Sequence, residues 1–391
     1  MEHLSEILKI LDGALKSNAS MALNYAGLLA DKLEIAGQGK QAGLIRERLA
    51  RTPAALANPQ DASRGATLTN LPVDGESRLY TVDISYPSVQ EMSLLLPSAI
   101  EERVSEFLDN IRFYDSLAKA GAAVPNRLMT YGQPGTGKTK LARYIAATLG
   151  LPLLTVRCDT LISSLLGQTS RNLRRVFEYS EQMPCVLFLD EFDALAGARG
   201  NERDVGELQR VVIALLQNID ALSDNTILIA ATNHDQLLDP AIWRRFSFRI
   251  PMPMPDLHLR EVLWQQFLGS FAPVGLDFKS LSSASDGVSG AIIEQVSIDA
   301  KRKAILSGDG TTDEIHLLRK LGLTLALIAR KDLSTVESEI QWLRHWNSKQ
   351  FSLRNLAKVY NLSTRHITNI LKEEKSNAER EAASTKRKIK R

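Results

Sequence analysis

The chain has 391 residues, 44% of them hydrophobic and 24% charged, with 48 Lys and Arg against 45 Asp and Glu for a net charge of +3. That composition suits a globular protein of two or three domains, and +3 is too small to argue by itself for a polyanionic partner. The two cysteines, Cys158 and Cys185, both fall in apolar strand-like stretches, which excludes a disulfide framework and fits buried thiols in a reducing compartment.

No uncharged apolar run is long enough to span a membrane, and Met1–Glu6 has neither a basic n-region nor an apolar core. The expected location is cytoplasmic, with no membrane partner. Residues 1–52 are expected to form a small helical unit. Leu4, Ile7, Leu8 and Leu11 recur at helical spacing, then Ala22, Tyr25, Ala26, Leu29 and Leu33, then Ala42, Ile45 and Leu49. Gly37-Gln38-Gly39 separates the second stripe from the third. So few residues make no deep core, so the unit is expected to pack on something else. Residues 53–76 are rich in Pro, Ala, Ser, Asn and Gly and read as a flexible linker.

An α/β segment follows over 77–250. Leu128–Tyr131 reads as a buried strand, and Gly132-Gln133-Pro134-Gly135-Thr136-Gly137-Lys138-Thr139 fits the G-x-x-x-x-G-K-[ST] phosphate loop. The glycines let successive N–H groups turn toward phosphates, Lys138 brings a charge to the β/γ-phosphates, and Thr139 offers a hydroxyl to Mg²⁺. Lys140 and the residues after it have helical spacing, which places the phosphates of ATP on a helix N-terminus. Nucleotide contacts are expected from Gly132 through Lys140.

Cys185–Leu189 is an apolar strand ending in Asp190 and Glu191. Asp190 is placed to hold the Mg²⁺ shell, and Glu191 to orient and polarise the attacking water. Thr226–Ala231 is a third apolar strand, and the amide of Asn233 beyond it can position that water or touch the γ-phosphate. Arg244-Arg245 can serve as fingers on a neighbouring subunit's phosphates, or form a solvated basic turn.

Near the carboxyl end, residues 336–375 read as a helix-turn-helix. Ala357 allows close helix approach, Asn361 suits the tight turn, Ser363 caps the second helix, and Ile367 and Ile370 face inward. Thr364, Arg365, His366, Asn369 and Lys372 are left outward, where they can meet bases and phosphates; a helical hairpin for partner docking remains the alternative. Residues 376–391 form a basic tail ending Lys386-Arg387-Lys388-Ile389-Lys390-Arg391, expected to be disordered.

From about Leu94 to Leu306, G-Q-P-G-T-G-K-T, F-L-D-E-F-D-A-L, A-A-T-N and L-D-P-A-I-W-R-R-F stand in the order and spacing of the AAA family's ATPase module, which this chain resembles. Ser289-Gly290-Ala291 resembles the start of the family's lid helix. The resemblance implies a five-stranded parallel P-loop sheet with flanking helices, a helical lid over 251–335, and a homo-oligomeric ring, usually a hexamer. It also implies Asp190 and Glu191 as the Walker-B pair, Asn233 as the sensor, and Arg244 and Arg245 as candidate fingers. The chain departs from the family at Gln133, where proline is usual, and at Ile292, where an acidic residue often follows Ala291. Leu161–Thr169 resembles the family's pore-loop segment, but Leu165 or Leu166 stands where protein-threading members commonly carry an aromatic residue. A second loop, 199–204, lies in the region that faces the central channel of family rings. Two functions follow as expectations: a ring that remodels a partner protein docked by a terminal module, or a DNA-associated ATPase targeted through residues 351–375 and the basic tail.

Overall fold

The computed structural model describes residues 3–16, 18–50, 81–91, 94–156, 168–196, 205–308 and 310–372. The expected linker, Cys158, Leu161–Gly167, loop 199–204 and the basic tail lie outside them. The chain divides into two compact units, Met1–Pro253 and Met254–Arg391.

The first unit is built on a six-stranded sheet. Its strands are β1 (Val82–Ser85), β2 (Arg127–Tyr131), β3 (Leu153–Val156), β4 (Val186–Leu189), β5 (Ile227–Thr232) and β6 (Phe248–Pro251), in the order β1-β3-β4-β5-β2-β6. β2 to β6 are parallel. The continuous apolar runs of β4 and β5 follow from burial on both faces, whereas the edge strand β6 carries exposed Arg249. Along β4, Leu187 and Leu189 face Leu173, Val176, Leu215 and Ile219, while Val186 and Phe188 face Leu141 and Ile145 on the opposite side. The five parallel strands match the sequence reading, and β1 adds a sixth, antiparallel strand, pairing Val82 with Val156 and Ile84 with Leu154. Four residues after a long polar stretch give no periodic signal, and this strand exists by covering the otherwise open edge of β3.

Helices α1 (Leu4–Leu15), α2 (Ala19–Ile35) and α3 (Gly39–Ala50) form the amino-terminal unit. Leu29, Leu33 and Ala42 make its small core, with Ile7 and Ile45 against them. The stripe on α1 is a partial correction: Leu4, Leu8 and Leu11 are 43%, 52% and 51% exposed, while Glu6, Lys9 and Gly13 are buried. The cause lies at Gly13, where a Cβ would fall 2.6 Å from the Ala22 nitrogen, so the backbones approach too closely for leucines between them. Glu6 pairs with Lys32.

The unit packs on the sheet domain, as its small core requires. Lys9 Nζ donates to Glu181 at 3.1 Å, Tyr25 Oη donates to the Glu181 carbonyl at 3.4 Å, and Asn24 donates to the Gln182 carbonyl at 3.4 Å. Glu181 also accepts from the Ser223 N–H (3.2 Å) and hydroxyl (3.0 Å). Burial by itself would raise the Glu181 pKa, but Lys9 and Ser223 outweigh it and hold the carboxyl below its usual 4.5. A depressed carboxylate stabilises the fold above its unfolded pKa and loses that contribution as pH falls through the folded one. Acidification below about pH 4.5 is therefore expected to loosen α1 and α2 first, read as rising amide exchange there. Lys9→Met should show that loosening already at neutral pH.

The second unit is helical. Its main helices are Leu257–Leu268, Phe278–Ala284, Gly290–Ser307, Glu314–Ile328, Val336–Trp346, Leu353–Tyr360 and 364–372. One core joins them: Trp264, Leu317, Leu343, Phe351, Ile367 and Ile370 are among its buried members. The expected lid helices and carboxyl-terminal helices thus share a single core. The turn follows the sequence reading: Asn361 takes φ 53°, and the His366 N–H donates to Ser363 Oγ at 3.2 Å. Ile367 and Ile370 are buried, whereas Thr364, Arg365, His366, Asn369 and Lys372 are exposed.

Candidate nucleotide site at the carboxyl edge of the sheet

Because β4, β5 and β2 are parallel neighbours, their carboxyl ends meet, and the segments leaving them form one edge. The loop from β2 runs through Gly132 (φ 144°), Gly135 (φ 77°) and Gly137 (φ 102°) into the helix Lys138–Leu149. The Gly132 N–H donates to the Thr232 carbonyl at 3.3 Å, which ties the loop to the end of β5.

Gly132 admits no other residue. A Cβ there would lie 2.2 Å from the Met252 carbonyl oxygen, backbone that cannot swing aside. Gly132→Ala is expected to destabilise the unit by at least about 2 kcal/mol, the scale of an enforced strained backbone, and to abolish nucleotide binding. A lowered Tm together with lost binding of a fluorescent ATP analogue checks this; wild-type values in both would contradict the packing.

Lys138 is 6% exposed and its Nζ donates to the carbonyls of Gly132 (2.7 Å) and Gln133 (2.8 Å). Burial lowers its pKa, and Asp190 and Asp193 partly restore it. The ammonium thus lies along the loop's inner wall. Thr136 Oγ1 closes the loop on the Gln133 carbonyl at 2.9 Å, and Gln133 and Pro134 are exposed at its tip. Lys140 is exposed on the first turn of the helix.

Thr139 Oγ1 donates to Asp190 Oδ2 at 2.8 Å. A hydroxyl and a carboxylate brought together beside a phosphate loop are the hard oxygen donors that Mg²⁺ requires, so these residues fit that ion. The next residue, Glu191, is exposed with φ 50°, a left-handed conformation for a non-glycine, and its N–H donates to Asp190 Oδ1 at 3.0 Å. Such a conformation costs roughly 1–2 kcal/mol and is found where function requires it.

Two further residues, which sequence reading did not assign, position the predicted ones. Asp193 accepts from Thr232 Oγ1 at 2.8 Å and from the Asn233 N–H at 3.4 Å. It therefore fixes where half-buried Asn233 leaves β5. Its place three residues after Asp190 was the available signal. Asp220 forms a two-pronged pair with Arg245, at 2.8 Å from both Nε and Nη2, and Arg245 Nη1 donates to the Ala241 carbonyl at 2.7 Å. Nothing in the sequence marked Asp220, because the pairing spans 25 residues. Arg244 is exposed, and among the described residues its guanidinium has no partner. The pair is thus divided into one anchored and one free arginine. Phe246, fully buried, meets Phe192 edge to face at 5.9 Å, which links the arginine turn to the segment carrying Glu191.

A glycine loop on a helix N-terminus with a Thr–Asp donor pair and an adjacent carboxylate defines the class of P-loop nucleotide hydrolases. Residues 128–254 match the ATPase family associated with various cellular activities (AAA). The chain is 39% identical over 232 residues to an uncharacterised AAA family ATPase of Sinorhizobium fredii, over 56% of this chain and 66% of that one. It is 36% identical over 208 residues to the ATP-dependent zinc metalloprotease FtsH of Rhodococcus erythropolis, over 51% of this chain but 24% of that protein. A third relative, ATP-dependent zinc metalloprotease FtsH 1 of Conexibacter woesei, is 30% identical over 254 residues, 38% of its length. The matches thus span a quarter to two thirds of these curated relatives. The chain belongs to the AAA family and carries its ATPase domain.

Proposed function

We propose that this protein hydrolyses ATP with Mg²⁺ and uses the turnover, as a homo-oligomeric ring, to remodel a partner protein. The observation that carries the reading is the Thr139–Asp190 contact with Glu191 directly beside it. In this reading the loop N–H groups and Lys138 hold the phosphates, and Thr139 and Asp190 hold the ion, which neutralises charge on the phosphate oxygens. Glu191 accepts the proton of the water that adds to the γ-phosphorus as ADP leaves, and Asn233 orients that water. Arg244 reaches the phosphates of the adjacent subunit, and Arg245 holds the turn that presents it. A hexamer is the ring size usual in the family.

The protein-remodelling part is supported by the relatives named as ATP-dependent proteases. Their peptidase activity stays with those proteins, because the family match of this chain is to the ATPase domain alone. Leu165 and Leu166 are the residues proposed to grip a threaded polypeptide. The proposed divisions are an amino-terminal docking unit over 1–52, the ATPase subdomain over 77–250, the lid over 251–335 and the carboxyl-terminal module over 336–375. The test is to isolate Glu191→Gln protein from its host with ATP and identify what stays bound. A bound protein released by ADP exchange supports remodelling, and a protein-free complex with DNA overturns it.

One observation favours the second reading, a DNA-associated ATPase. Arg365, His366 and Asn369 are exposed together on helix 364–372 after a left-handed turn at Asn361, the arrangement by which such helices enter a major groove. Sequence-selective duplex binding that is weakened about tenfold or more by Asn369→Ala would favour it. An ATPase rate indifferent to duplex DNA would count against it.

A further inference from the structure

The second unit contains a cleft of about 590 Å³ between the helices Gly290–Ser307 and Glu314–Ile328. Its wall is aliphatic at Ala300, Ala304, Leu317 and Leu323, and at its mouth Leu306 is 78% exposed. Its rim carries Arg302, Lys303, His316, Arg319 and Lys320.

Among the described residues the charges do not balance. Lys320 is paired with Asp299 at 2.9 Å, and Arg319 is held by Glu339 at 2.7 Å and Tyr360 at 3.1 Å. Asp313 accepts from the N–H groups of Ile315 (2.8 Å) and His316 (3.2 Å) at the start of its own helix. Arg302 and Lys303 are exposed, as is Lys358 on the helix Leu353–Tyr360, and no described carboxylate lies within ion-pair distance of any of the three. The field of this cluster is visible at His316. Burial, then Lys303, Arg319 and Lys358, keep the imidazole below its usual value, and Asp313 offsets this only partly.

An aliphatic cleft with unpaired cations at its mouth is complementary to a ligand carrying both apolar groups and carboxylates. Exposed ion pairs alone bind weakly, and a nucleic-acid backbone would use the cations while leaving Leu306 in water. We propose that this cleft binds an acidic amphipathic peptide segment of a partner protein, whose aliphatic side chains cover Leu306 and whose carboxylates meet Arg302, Lys303 and Lys358. The peptide's role as a docking signal rests on the partner-remodelling reading, but its binding does not require ATP turnover.

The test uses the full chain and a short fluorescent peptide of Glu and Leu at helical spacing, followed by anisotropy at low and high salt. Two control peptides replace Glu by Gln or Leu by Ser. Binding should need both residue types and weaken with salt. The double variant Arg302→Glu, Lys303→Glu should weaken it at least about tenfold, and Leu306→Asp should do so separately. Both changes are on exposed positions, so the helix that carries them should keep its fold. Failure of the peptide to bind wild-type protein, or undiminished binding in both variants, would overturn the proposal. So would displacement by duplex DNA that itself requires Arg302 and Lys303, which would make the cleft a nucleic-acid site. A smaller sedimenting species in the double variant would likewise overturn it, because the cleft would then join two copies of this chain. ATPase activity is measured alongside, so a dead peptide site and a wrong ATPase assignment give different results.

Discussion

Glu191→Gln is expected to bind ATP about as tightly as wild type and to hydrolyse it at least ~100-fold more slowly, the usual share of a positioned general base. The amide keeps the size of the side chain and the φ 50° backbone that presents it, but cannot take the proton from water. The neighbouring carboxylate should behave differently. Asp190 shares the Thr139 hydroxyl at 2.8 Å, so Asp190→Ala should weaken Mg²⁺-dependent binding itself. Lys138→Ala should lose binding through the missing charge, which lies against the Gly132 and Gln133 carbonyls. Equilibrium binding of a labelled nucleotide and phosphate-release kinetics separate the three. Wild-type turnover in Glu191→Gln would sink the assignment, and lost binding there would move Glu191 from the water to the ion or the phosphates.

The two arginines are expected to fail in different ways. Arg244→Ala should lower turnover roughly a thousandfold, as for a finger supplied in trans, with no change in Tm. Arg245→Ala should lose the two-pronged contact with Asp220 and the bond to Ala241. That half-exposed pair is worth about 1 kcal/mol, a shift of a few degrees in Tm, with a smaller loss of rate from a turn no longer held. The trans geometry has its own check. Arg244→Ala subunits keep Glu191, and Glu191→Gln subunits keep Arg244, so mixing two inactive proteins should restore activity at hybrid interfaces. Full activity of wild-type protein at dilutions where it is monomeric would refute the shared site. Equal losses in both variants, with both Tm values unchanged, would show that Arg245 acts on the phosphates as well.

The nucleotide edge was legible in sequence because each of its parts is local. A strand, a glycine loop and a helix N-terminus are contiguous over Leu128–Leu149, and Asp190 and Glu191 directly follow β4. The turn at Asn361 was equally local, since one left-handed residue between two amphipathic helices is a short-range requirement. α1 shows where locality fails. Its leucine spacing predicts a buried stripe, yet the close approach of Gly13 to Ala22 turned the helix and left Leu4, Leu8 and Leu11 exposed. Periodicity states that a helix has an apolar face; it does not state what comes to cover that face.

By itself, the sequence determined the class of site, because a phosphate loop is tied to residue type at short spacing, and it supplied the roles proposed above for each group. Tertiary structure decided what depends on distant segments meeting. It placed β1 on the open edge of β3, set Asp193 under Thr232 and Asn233, and seated Lys9 against Glu181. It also divided Arg244 from Arg245, through a carboxylate 25 residues away that no local pattern could bring to that turn. The physical reason is common to all four: a partner supplied from across the fold leaves no period or spacing in the chain around the residue it meets.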